Sequence, residues 1–103
     1  MTEHDIAILF DATPSQWGLR GDPYLWQALR NALQAQPLAQ NADEFSACIV
    51  ENIEAIIGVP LNHPKDVYLE RFAHGGMSSG VVCLPFWRDK AIPLLRQRYL
   101  TLL

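Results

Sequence analysis

The stretch with the most obvious chemistry is His74-Gly75-Gly76-Met77-Ser78-Ser79-Gly80. Gly76 to Gly80 fits G-x-S-x-G, the spacing that presents a nucleophilic serine on a strained turn, and His74-Gly75-Gly76 has the form of a loop that offers backbone amides to an oxyanion. That chemistry needs a strand before the serine, a helix behind it, and an imidazole oriented by a carboxylate within reach. Gly80 instead leads into Val81-Val82-Cys83-Leu84, a β pattern. The two motifs also overlap, although the oxyanion loop and the nucleophile belong on different strand connections. A chain of 103 residues is too short for the many-stranded sheet that carries such a turn. The reading is therefore a chain reversal in which glycines supply positive φ, not a catalytic serine. A contact role is the alternative: Arg71, His74, Gly75, Gly76, Ser78 and Ser79 could form a nest for a phosphate or carboxylate, and on that basis a small-ligand protein or small enzyme.

A second candidate surface is acidic. Residues 1–64 carry eight carboxylates against Arg20 and Arg30, whereas residues 65–103 carry six cations against three carboxylates. Either the two parts neutralise each other internally, or an acidic face is offered to a basic partner. Asp43, Glu44, Glu51 and Glu54 are the residues that would form that face. Trp17, in a glycine-flanked segment with Arg20, is the candidate anchor, because tryptophan and arginine concentrate binding energy. His4, His63 and His74 do not stand at ligand spacings and neither cysteine adds a pair, so no metal or cofactor is expected. Arg88, Lys90, Arg96 and Arg98 are spread by helical geometry and read as a solvated face; nucleic acid is not expected, since the acidic remainder repels phosphate.

These residues must be positioned by something. Thr2 and Asp5 can form a capping box ahead of Ile6, Leu9 and Phe10, though Ile6–Phe10 could equally be a strand; a short helix is the reading. Asp22 and Pro23 suit the start of a helix with Leu25, Leu29 and Leu33 on one face, closed by Pro37. Asn41 or Asp43 begins another, with Phe45, Cys48/Ile49, Ile53 and Ile56/Ile57 recurring at helical spacing, Gly58 as left-handed stop and Pro60 beyond. Val67–Ala73 and Val81–Leu84 read as strands of a hairpin. Pro85 starts a last helix to about residue 101, in which Pro93 forces a kink or a new start. The fold expected is α+β: one domain over 1–103, with three or four helices on a short antiparallel hairpin, and Leu25, Leu29, Leu33, Phe45, Ile49, Ile53, Ile56, Leu69, Val82, Trp87 and Leu95 inside.

Half the residues are apolar and 18% are charged, so a core can form and disorder is not expected. The acidic start and the short run Ile6–Phe10 do not make a secretory leader, and no apolar stretch reaches membrane length. Cys48 and Cys83, inside apolar runs, read as reduced core thiols of a cytoplasmic protein. The function expected is a non-enzymatic protein-binding module. Its nearest class by size and charge is the small acidic inhibitors, or immunity proteins, that bacteria keep against their own basic toxins. A homo-oligomer subunit, such as a homodimer, is a further alternative.

Overall fold

The first helix begins where the capping box places it. In the computed structural model, which describes residues 1–11, 22–69 and 80–103, α1 spans Glu3–Phe10. The Thr2 hydroxyl accepts from the Asp5 amide at 3.1 Å and the Asp5 carboxylate accepts from the Thr2 amide at 3.2 Å. Two donors that a helix start leaves open are thereby satisfied, which decides for helix over strand. Ile6, Leu9 and Phe10 are buried.

Helix α2 spans Asp22–Gln34 and buries Leu25, Trp26, Leu29 and Leu33. Trp26 meets Phe10 edge-on, with ring centroids 4.9 Å apart, and tilts against Trp87 at 6.2 Å. Helix α3 spans Ala42–Ile57. Asn41 caps it by accepting from the Glu44 amide at 2.9 Å, and Gly58 ends it at φ 79°, a conformation glycine adopts without strain. Phe45, Ile49, Ile53 and Ile57 form its buried stripe. Ile56, expected inside, is only half-buried: it stands one residue to the side of a stripe repeating every four.

Two three-residue strands come next, β1 (Val67–Leu69) and β2 (Gly80–Val82), antiparallel with Val67 opposite Val82, Tyr68 opposite Val81 and Leu69 opposite Gly80. The expected continuation of β1 through residues 70–73 lies outside the described residues. β2 stops at Val82 because Leu84, expected as its end, opens a helix instead. The side chain of Leu69, expected in the core, lies outside the described residues, as does the connection between the strands.

The last helical run passes through three geometries: α4 (Leu84–Phe86), a π-helical segment (Trp87–Ala91) and α5 (Ile92–Leu100). Pro93 neither breaks the run nor leaves it a plain α-helix. Proline cannot donate to a preceding carbonyl. Just before it the helix widens, and the Ile92 amide reaches back five residues to the Trp87 carbonyl. The wider turn also serves packing. Trp87, Ala91, Leu95 and Tyr99 are all fully buried. Residues four apart drift roughly 40° per step around an ideal α-helix, and a π turn removes part of that drift.

Helix α2 packs on α1, α3 and β2, while α5 packs on α1 and α3. One buried cluster results, and the radius of gyration, 13.2 Å, matches the roughly 13 Å of a compact chain of this length. The Phe45 and Tyr99 rings stack at 4.3 Å and 11°. The Tyr99 hydroxyl donates to the Ala39 carbonyl, so one side chain joins α5 to both α3 and the segment before it. Burial, and secondarily the Glu44 carboxylate, push the Tyr99 phenol up.

Two changes test this junction by urea unfolding. Tyr99→Phe keeps the stack and drops the hydrogen bond, for an expected loss of about 1–2 kcal/mol. Phe45→Ala opens a cavity and costs about 3–5 kcal/mol. A Tyr99→Phe midpoint equal to wild type would show that the hydroxyl contributes nothing to the junction.

Candidate functional site

Four carboxylates on α3 make up the part of the expected site that the described residues include. At 100° per residue, Asp43, Glu44, Ala47, Glu51, Glu54 and Ala55 share an arc of roughly 120°, opposite the stripe of Phe45, Ile49 and Ile53. The sequence pattern thus places all four acids on one face, but the structure divides them by use.

Asp43 accepts from Arg96 Nη2 at 2.9 Å, and its side chain stays 91% exposed. Arg96 Nη1 donates to the Ala42 carbonyl at 3.0 Å and to the Ser46 hydroxyl at 2.8 Å. This is the internal neutralisation that the charge asymmetry allowed, realised between α5 and the first turn of α3. Glu44 is exposed and accepts from the Gln40 amide at 3.2 Å. Glu51 is exposed, with the small side chains of Ala47 and Ala55 one turn to either side. Glu54 is half-buried and folds over the end of its own helix, accepting from the Leu61 amide at 2.7 Å. Arg88 Nη1 donates to the carbonyl of the same Leu61 at 2.8 Å, so the turn after α3 is held from both sides. Glu54 therefore has structural work that helical spacing alone did not reveal.

The eight other candidates, Trp17, Arg20, Arg71, His74, Gly75, Gly76, Ser78 and Ser79, lie outside the described residues. The two stretches that contain them rejoin the described fold at Asp22 and at Gly80. A buried carboxylate links the first of those points to the segment that follows β2. Asp22 is fully buried, and its Oδ1 accepts from the Cys83 amide at 3.0 Å and from Trp87 Nε1 at 3.0 Å. Sequence reasoning gave Asp22 only a local role at the helix start. The missed signal was weak but present: an indole in a core needs an acceptor for its N–H.

Cys48 and Cys83 are free thiols, and both are half-buried rather than fully enclosed. Burial, then the neighbouring Glu51 carboxylate, push the Cys48 thiol up, against a smaller opposing effect from Asn52, whose amide donates to Sγ at 3.4 Å. His63 Nδ1 sits 2.9 Å from the Lys65 carbonyl and 3.2 Å from the Lys65 amide, a local turn contact. His4, Ala7, Ile8, Asp11 and Arg98 line an open groove between α1 and the end of α5. Among the described residues no three His, Cys, Asp or Glu side chains converge as metal ligands would, and no helix is long and apolar enough to cross a membrane. No protein-family model, curated protein or solved structure matches this chain.

This geometry yields two measurements. Asp22→Ala deprives two donors of their acceptor and should cost about 2–4 kcal/mol, with Asp22→Asn, which keeps an oxygen at that position, costing less. A cycle with Trp87→Phe should show coupling of about 1 kcal/mol or more; additive losses would mean the two side chains act independently. For Cys48, the thiolate is the reactive form, so in a Cys83→Ala background alkylation should run slower than for a free thiol at pH 8. Its half-reaction point should lie above the ordinary thiol value and move down in Glu51→Gln. An unmoved point would show that the Glu51 charge does not reach the sulfur.

Proposed function

We propose that this protein is a cytoplasmic binding module without chemistry of its own, a small acidic inhibitor whose solvent face of α3 meets a basic partner. The observation that carries the reading is the division of labour on α3. Its inner stripe is fully used in the core, while Glu44 and Glu51 stay exposed with only alanines among them; Asp43 is exposed beside them but already paired with Arg96. Carboxylates on a rigid helix with no bulky neighbours present a fixed negative field, which speeds and orients encounter with a cationic surface. Glu54 is left out of the contact set because its carboxylate holds the Leu61 amide. Trp17 and Arg20 are the proposed anchor, by residue type. We also take β1 and β2 as the arms of one hairpin, which makes the fold a single α+β domain; their antiparallel register supports this.

The test is kinetic. With the partner recovered from the native host, the association rate is measured against ionic strength for wild type and for Glu44→Gln/Glu51→Gln. The wild-type rate should fall steeply with salt, and the variant should associate about 3–10-fold more slowly at low salt with little change in dissociation. Glu54→Gln should lower stability and leave association alone. A double variant that associates as fast as wild type at low salt overturns the reading.

A further inference from the structure

We draw no further inference here: the strongest candidate, the open groove between α1 and the end of α5 lined by His4, Ala7, Ile8, Asp11 and Arg98, carries nothing, because the Arg98 guanidinium is engaged with the Leu9 carbonyl in joining the two helices and nothing in the structure shows what would occupy it.

Discussion

A fully buried carboxylate is costly unless hydrogen-bond donors converge on it, and the fold is arranged so that they do. Asp22 opens α2, and two of its donors arrive from more than sixty residues away, the Cys83 amide and the Trp87 indole. Cys83 sits where strand turns into helix, between β2 and α4, and Trp87 opens the π-helical segment that follows α4. The contact therefore ties the first residue of α2 to the residue after β2 and to the indole edge of Trp87, which packs on Trp26.

The rest of the core depends on two helices that each face several neighbours. α2 sits against α1, α3 and β2, and α5 sits against α1 and α3. A helix so surrounded needs a broad apolar surface or a carefully aligned narrow one. The C-terminal run takes the second course. From Trp87 onward its buried residues, Trp87, Ala91, Leu95 and Tyr99, recur every four, and the π turn ahead of Pro93 keeps them facing inward. Proline here does not simply interrupt a helix; it stands where the hydrogen-bond pattern has already shifted. The polar side chains of the run are used for joining. Arg88, Arg96 and Arg98 donate to backbone carbonyls of Leu61, Ala42 and Leu9, so the cations of this region link elements of the fold.

Local features are legible in the sequence. The capping box of α1, the cap of α3, its stripe and the Gly58 stop each depend on residues within four or five positions; the structure chooses helix over strand at Ile6–Phe10, Asn41 over Asp43 as the cap, and Ile57 over Ile56 as the buried end of the stripe. The reach of Asp22 to Trp87 is not legible, because a residue that suits a helix start gives no sign of a second partner across the chain. Glu54 escapes a sequence reading for the same reason. Its place on the outer arc can be read, but its fold-back onto Leu61 depends on how the turn after Gly58 runs. The π segment is hidden as well: a proline in an apolar-periodic run announces a disturbance, while the form it takes depends on which carbonyls the packed helix leaves free. Of the candidate site, only the α3 face rests on a pattern regular enough to place from spacing alone.

The central claim is that the Asp22 carboxylate holds the strand-to-helix junction. Hydrogen exchange at the two protons it receives tests this most directly. The Cys83 amide and the Trp87 indole N–H should exchange slowly in the wild-type protein. In Asp22→Ala both should exchange about tenfold faster or more, while the amides in the middle of α3 are little changed. Equal protection of both protons with and without the carboxylate would contradict it.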